Sequence, residues 1–165
     1  MDDKHWESAE EGAELLIEGK HEEARDYLLA LVEREKENPY AHYFLGQAFF
    51  ELHDYARALA CYVRSLEISP RYLGALIGSG HALRLMGRFD SAIRAGRQAL
   101  LMQPNDPDAL HLLGVAHFVR GDDAQAADFL RRFLATRPEL EVATEVEGML
   151  QLLAQKLEPA PEDDA

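Results

Sequence analysis

Hydrophobic, aromatic and small residues follow the period of an α-helix through the middle of the chain. Between residues 39 and 52 they fall on a single helical face, at His42, Leu45, Gly46 and Phe49. The same spacing returns from Tyr55 onwards, through Ala58, Tyr62 and Ser65. The short segment 53–55 predicts a turn, so the pattern predicts two consecutive helices that pack against each other.

This pattern recurs with a period of 34 residues. Three residue types follow that interval independently: Gly12, Gly46, Gly80, Gly114 and Gly148; Ala24, Ala58, Ala92 and Ala126; and Pro70, Pro104 and Pro138. The period predicts helix–turn–helix units over 5–38, 39–72, 73–106 and 107–140. An amphipathic stretch over 141–157 predicts a capping helix. Residues 1–4 are expected to form an N-terminal tail, and 158–165 a disordered acidic tail.

The residues of the repeat resemble the tetratricopeptide repeat (TPR) family. The second unit carries Leu45-Gly46, Phe49, Tyr55, Ala58, Tyr62, Ser65 and Pro70, and the fourth carries Leu113-Gly114, His117, Ala126, Leu130, Phe133 and Pro138. The resemblance covers residues 5–157 and implies an all-α, right-handed superhelical solenoid. Asn38-Pro39 and Asp106-Pro107 each place a capping side chain before a proline, which predicts helix starts at both points.

Two units depart from the family pattern. The first has Ser8, Glu11 and Lys36 at pattern positions, which is typical of a divergent end repeat. The third has Ser79 and Gly96 in place of larger residues, and further glycines at Gly74, Gly78, Gly80 and Gly87. These glycines predict either close helix packing, with neighbouring side chains filling the space, or a recess in the groove floor that admits a partner's side chain.

Composition narrows the classes of function. The chain has 165 residues, 47% of them hydrophobic, and a formal net charge of −13. This balance argues against binding to nucleic acid, and no apolar run reaches the length of a membrane span or a signal peptide. One cysteine, Cys61, excludes an internal disulfide, so we expect a cytoplasmic protein. The acidity lies mainly in residues 1–38 and 139–165, and therefore says little about the ligand of the central repeats.

The resemblance implies that the first helix of each unit lines a concave groove. The side chains expected there predict a peptide-binding surface on an adaptor or chaperone: Tyr40, Tyr43, Phe44, Gln47, Phe50, Ile77, His81, Arg84, His111, Val115 and Phe118. The aromatic residues would supply apolar area, while Gln47, His81 and Arg84 would hydrogen-bond or pair with the ligand. For Phe50 and Phe118, burial between adjacent first helices is an equal alternative.

Other functions are weaker predictions from the sequence. The carboxylate clamp of some co-chaperone TPR proteins needs Lys and Asn at two groove positions, and no unit supplies them. Small type III secretion chaperones are similar in size and acidity, and a chaperone of that kind is the subtype alternative. A self-assembling scaffold, including a homodimer, is the alternative class. An acid–base or metal site at His81 and His111, with Asp108 or Arg84 nearby, is the third alternative. Because a zinc site normally needs three or four ligands in a set geometry, we expect a non-enzyme with no cofactor and no metal.

Overall fold

The computed structural model describes residues 3–157, all nine of whose regular elements are α-helices. Their bounds are α1 Asp3–Ile17, α2 His21–Arg34, α3 Pro39–Glu51, α4 Tyr55–Ile68, α5 Leu73–Leu85, α6 Phe89–Met102, α7 Pro107–Arg120, α8 Asp123–Ala135 and α9 Leu140–Leu157. The predicted all-α class is confirmed. Helix α1 includes Asp3 and Lys4, which we placed in the tail 1–4, and the tail 158–165 lies outside the described residues. No helix within 3–157 combines the length and the apolar character that a membrane crossing requires.

The two predicted proline starts are confirmed by their caps. The Asn38 side chain accepts a hydrogen bond from the Ala41 amide at 3.1 Å, and Asp106 accepts one from Ala109 at 2.9 Å. In each case the proline that follows takes the first helical position, where its missing N–H costs nothing. Local sequence therefore sets where α3 and α7 begin.

The turn inside each unit reaches the left-handed region of the backbone at an equivalent position. Gly19, Gly87 and Gly121 have φ values of +74°, +75° and +90°. The second unit has His53 at this position, with φ of +61°. A side chain in this conformation costs about 1 kcal/mol, so the second turn is the strained member of the series.

The units stack through their first helices. Helix α1 contacts α3, α3 contacts α5, and α5 contacts α7, while each second helix packs against the first helices before and after it. We call the surface formed by α1, α3, α5 and α7 the groove. Helix α9 packs against α8 and buries Val146 and Leu153 in the last part of the core. Stacking therefore buries apolar faces that a single helix pair would leave exposed.

Repeating glycines let the two helices of a unit approach each other. A Cβ atom at Gly12, Gly46 or Gly114 would lie within 3 Å of the side chain of Leu28, Tyr62 or Leu130, respectively, on the second helix. In the third unit, the position equivalent to Leu28, Tyr62 and Leu130 is occupied by Gly96. Leu113 of the next unit fills the space over Gly96, and Leu112 fills the space over Gly80. For these two glycines the close-packing interpretation is correct.

Candidate functional site

A cavity of about 440 Å³ opens on the groove between α3, α5 and α7. We call it the central cavity. Its lining combines aromatic rings, glycines and charged or polar groups from three units: Tyr43, Gln47, Phe50, Glu51, Tyr62, Gly74, Ile77, Gly78, His81, Arg84, Asp108 and His111. The volume falls in the range of ligand-binding clefts, and the lining mixes a few polar groups with apolar walls, as such clefts do.

Two glycines of the third unit shape the floor of this cavity. A Cβ atom at Gly74 would lie 3.1 Å from Cζ of Tyr43, and one at Gly78 would lie 2.7 Å from Cζ of Tyr62. Both glycines thus accommodate tyrosine rings and line the cavity themselves. At these two positions the close-packing interpretation is correct, and the glycines also line the cavity. That this part of the groove floor admits a partner's side chain stays a prediction.

Tyrosines surround that floor in a connected cluster. The ring centroid of Tyr43 lies 4.7 Å from that of Tyr72 and 6.0 Å from that of Tyr62. Gln47 donates a hydrogen bond from Nε2 to the Tyr43 hydroxyl at 2.8 Å. Burial raises the pKa of the Tyr43 hydroxyl, so it stays protonated and can donate to a ligand. The cluster offers a large apolar surface with a polar edge.

Arg84 supplies the cavity with a positive charge. Its side chain is half-buried, and its Nε atom is buried without a hydrogen-bond acceptor. Within residues 3–157 it forms no salt bridge. Burial lowers the pKa of Arg84, and Glu145 on α9 opposes that shift, but a guanidinium remains charged at neutral pH. An unpaired, partly desolvated guanidinium is a strong receptor for a carboxylate or a carbonyl oxygen.

Two histidines from adjacent first helices lie beside Arg84. The ring centroids of His81 and His111 are 6.0 Å apart, so the structure brings together the pair that the sequence suggested. Burial, Arg84 and His111 lower the pKa of His81 to about 3. Burial and Arg84 also lower the pKa of His111, whose Nε2 is buried without a partner. Both rings are therefore neutral at pH 7, and each offers one donor and one acceptor.

The chemistry of a metal centre is not assembled around this pair. In the described part of the chain, no three His, Cys, Asp or Glu side chains are grouped so that they could hold a metal ion. Asp108 lies at the cavity wall, where burial and the nearby Asp106 raise the pKa of its carboxyl. Cys61 is partly buried, and burial raises the pKa of its thiol to about 11, which makes it a poor nucleophile.

A second cavity, of about 550 Å³, adjoins the first between α1 and α3. We call it the N-terminal cavity. Its walls are apolar and its rim carries glutamates, and it is lined by Trp6, Glu10, Ala13, Glu14, Leu16, Ile17, His21, Phe44, Gln47 and Glu51. Gln47 and Glu51 line both cavities, so the groove is continuous from one to the other.

The predicted groove residues fall into three groups. The central cavity is lined by Tyr43, Gln47, Phe50, Ile77, His81, Arg84 and His111. Two aromatic residues lie at its N-terminal side: Phe44 packs in the core at 9% exposure and lines the N-terminal cavity, and the Tyr40 ring contacts Trp6 and Tyr72. The remaining two lie in the C-terminal part of the hydrophobic core, where Val115 is buried and Phe118 packs against the buried residues.

Sequence reasoning did not include two tyrosines of the site. Tyr62 is on a second helix and was expected only to pack, yet it also lines the central cavity. Tyr72 precedes α5 and meets Tyr40 and Tyr43 through its ring. The sequence feature that relates to Tyr62 is Gly78, whose lack of a side chain lets the Tyr62 ring pack against α5 at the floor of the cavity.

The fold and the groove define a helical-repeat protein with ligand-sized cavities along its inner face. The chain belongs to the tetratricopeptide repeat family, since profiles of that repeat match residues 39–72 and 78–141. Proteins of this family are generally non-catalytic interaction modules. This result and the structure confirm the predicted TPR superhelix.

Known proteins share this architecture at low sequence identity. The cell division cycle protein 27 homolog of Caenorhabditis elegans is 26% identical over 108 residues, which are 66% of this chain and 14% of that protein. The TPR protein TTC0263 of Thermus thermophilus superposes with a TM-score of 0.74 at 21% identity, over 96% of this chain and 93% of the other. The second TPR domain of human RPAP3, solved with the HSP70 peptide SGPTIEEVD, superposes with a TM-score of 0.64 at 19% identity. The match covers 69% of this chain and 96% of that domain.

Proposed function

We propose that the chain is a protein-interaction module that binds a peptide segment of a partner protein in its groove. The central cavity is the principal site, and Arg84 receives an acidic side chain or a carbonyl group of that segment. The observation that carries the proposal is the state of Arg84. It is a half-buried guanidinium in a ligand-sized cavity, with a buried Nε that has no acceptor and with no carboxylate paired to it.

The surroundings of Arg84 support a peptide over a small ion. Peptides present both apolar side chains and backbone amides, and the cavity offers a partner for each. Tyr43 and Phe50 supply apolar area, while neutral His81 and His111 can each donate to a carbonyl or accept from an amide. Interaction sites on soluble proteins commonly combine exposed aromatic anchors with a few polar groups in this way.

Family membership supports the same proposal. The related RPAP3 domain was solved with a peptide that carries two glutamates and an aspartate. Here the Lys and Asn positions of the carboxylate clamp hold other residues in every unit, and Arg84 lies one helical turn further along α5 than His81. We therefore propose acidic-peptide recognition by a different set of side chains, without assigning the co-chaperone role of clamp proteins.

The test is a selection from a library of random short peptides displayed on phage. The immobilised full chain and two variants are screened in parallel: Arg84→Gln, and Arg97→Gln as a control that removes an exposed arginine from α6. We expect the wild type and Arg97→Gln to enrich the same peptides, with Asp or Glu at one fixed position. Peptides selected on Arg84→Gln should show no enrichment of Asp or Glu at that position. A wild-type selection without enrichment, or equal enrichment on Arg84→Gln, would contradict the proposal.

Self-assembly is the second candidate, because apolar side chains remain exposed on the last helix. Leu140, Leu152 and Leu157 of α9 are all more than half exposed. Exposed apolar side chains on an end helix can pack against another copy of the chain. Light scattering at two concentrations tests this: a dimer that forms with increasing concentration and disappears in a Leu152→Gln variant supports the scaffold. A monomer at both concentrations contradicts it.

A further inference from the structure

The N-terminal cavity differs from the central cavity in its charge. Its rim carries Glu10 and Glu14 on α1 and Glu51 at the end of α3. None of these carboxylates forms a hydrogen bond or a salt bridge with another described residue. In the turn that follows α1, by contrast, Glu18 pairs with Lys20 at 2.8 Å. The three rim carboxylates are therefore free to receive a positive charge.

The walls of this cavity are suited to the stem of a long cationic side chain. Trp6 is 41% exposed and Ile17 is 86% exposed, and both face the cavity with Leu16. The indole of Trp6 meets the rings of Tyr40 at 5.2 Å and Phe44 at 5.8 Å, so it is held in place by its neighbours. A tryptophan face is the strongest aromatic partner for an ammonium or guanidinium group, and the methylene stem of Lys or Arg packs on apolar walls.

The two cavities are joined, so one extended segment can occupy both. Gln47 and Glu51 belong to both linings. Neighbouring helix axes in a packed array are about 8–10 Å apart, and an extended chain advances about 3.3 Å per residue. The N-terminal cavity lies between α1 and α3 and Arg84 is on α5, so the two sites are about one and a half helix spacings, or about 12–15 Å, apart. A side chain in the N-terminal cavity and one at Arg84 would thus be about three to five residues apart in the bound segment.

We propose that the N-terminal cavity binds a lysine or arginine side chain of the partner peptide, about three to five residues from the acidic group held by Arg84. This inference rests on the proposed function and adds the chemistry of the partner: an extended segment with one basic and one acidic side chain at fixed separation. Charge complementarity sets the polarity, since Glu10, Glu14 and Trp6 attract a cation and Arg84 attracts an anion. A second copy of this strongly acidic chain is a poor occupant of a cavity rimmed by glutamates.

The test uses the phage-displayed random peptides on the full chain, with two double variants of α1. Glu10→Gln/Glu14→Gln removes the two rim charges on α1 and leaves Glu51 in place. Glu7→Gln/Glu11→Gln is the matched control, with the same spacing and charge change at exposed sites outside the cavity. We expect the wild type and the control to enrich Lys or Arg at a fixed distance from Asp or Glu. The rim variant should keep the acidic position and lose the basic one.

Synthetic versions of the enriched peptides give the quantitative readout. Trp6 is the only tryptophan of the chain, so its fluorescence reports directly on occupation of the N-terminal cavity. We expect the peptide to shift Trp6 emission and to bind the rim variant about tenfold more weakly than the control variant. A peptide in which the basic residue is replaced by norleucine should show the same loss on the wild type and no further loss on the rim variant.

The results separate this inference from the proposed function. Enriched peptides that depend on Arg84 but bind the rim variant and its control equally, with no basic position, would overturn the inference and leave the proposed function standing. A wild-type selection without any enriched peptide would overturn both. Concentration-dependent self-association that changes Trp6 emission in the absence of peptide would overturn the assignment of a partner peptide to this cavity.

Discussion

The ring of Tyr62 lies against the backbone of Gly78 and occupies the space that a side chain at position 78 would need. A Cβ atom at Gly78 would stand 2.7 Å from Cζ of Tyr62, and one at Gly46 would stand 2.7 Å from Cε1 of the same ring. The ring is only 2% exposed and is held between two helices of successive units. This contact couples the packing of α4 to the floor of the central cavity on α5.

Replacing Gly78 by alanine should therefore lower the stability of the chain. Crowding a packed core costs about 1–3 kcal/mol, while glycine-to-alanine exchange in a helix returns about 1 kcal/mol. We expect the free energy of unfolding to fall by about 1 kcal/mol in urea denaturation. Gly148→Ala is the matched control, because nothing lies within 4 Å of a Cβ atom at that position on α9. It should gain about 0.5–1 kcal/mol, and equal stabilisation by both variants would contradict the packing described for Tyr62.

The strained turn of the second unit gives a prediction of the opposite sign. His53→Gly should raise the free energy of unfolding by about 0.5–1 kcal/mol, because glycine adopts a φ of +61° without strain. The substitution removes an exposed hydrogen bond between His53 Nδ1 and the Tyr55 hydroxyl, which are 2.9 Å apart. Gly87→Ala is the converse control at the equivalent turn and should destabilise the chain. Thermal unfolding measures both, and a lower melting temperature for His53→Gly would contradict the strain assigned to this turn.

A partly buried histidine of the central cavity, His81, should make stability depend on pH. The pKa of His81 is about 3 in the folded chain and about 6.5 in the absence of structure. Between these values the unfolded chain takes up a proton that the folded chain excludes, so the free energy of unfolding decreases as the pH falls from 6.5 towards 3. His42 and His111, whose pKa values are also lowered, act in the same direction.

A His81→Gln variant isolates this contribution. Urea denaturation at pH 7.5, 6.5 and 5.5 should show a smaller loss of stability for the variant than for the wild type. The change in overall charge with pH is nearly the same in both proteins, so it cancels in the comparison. Identical slopes would show that His81 is freely protonated in the folded chain.

The charges around His111 predict two opposite shifts of its pKa. Arg84 lowers that pKa, while Glu145 and Asp108 raise it. In an NMR titration of the imidazole signals, Arg84→Gln should therefore raise the pKa of His111, and Glu145→Gln should lower it. Shifts in the same direction for both variants would contradict the placement of α9 beside the groove.

The architecture could be predicted from the sequence because the repeating residues are those that stacked helix pairs require. The period, the proline starts at Pro39 and Pro107, and the helix-contact glycines each have a local physical meaning. The recess in the third unit was one of two open interpretations, since sequence alone does not say which glycines face a neighbouring side chain. The side chains of Leu112 and Leu113 occupy the space over Gly80 and Gly96, respectively, whereas Gly74 and Gly78 line the central cavity.

The state of Arg84 could not be predicted in the same way. Glu51 and Asp108 line the same cavity, and Glu145 acts on its pKa from α9, so any of the three was a candidate ion-pair partner. The packing of α3, α5, α7 and α9 determines that none of these three carboxylates forms an ion pair with Arg84. The separation of Arg84 from the glutamates that rim the N-terminal cavity likewise depends on distances between units, which repeat periodicity does not encode.

Calorimetric titration of a selected peptide tests the groove assignment most directly. The peptide enriched on the wild type is titrated into wild type, Arg84→Gln and Arg97→Gln under identical salt and pH. We predict equal affinity for wild type and Arg97→Gln, and a loss of about 1.5–3 kcal/mol, at least tenfold in Kd, for Arg84→Gln. Equal affinity for all three proteins, with the fold of Arg84→Gln intact by circular dichroism, would contradict binding at the central cavity.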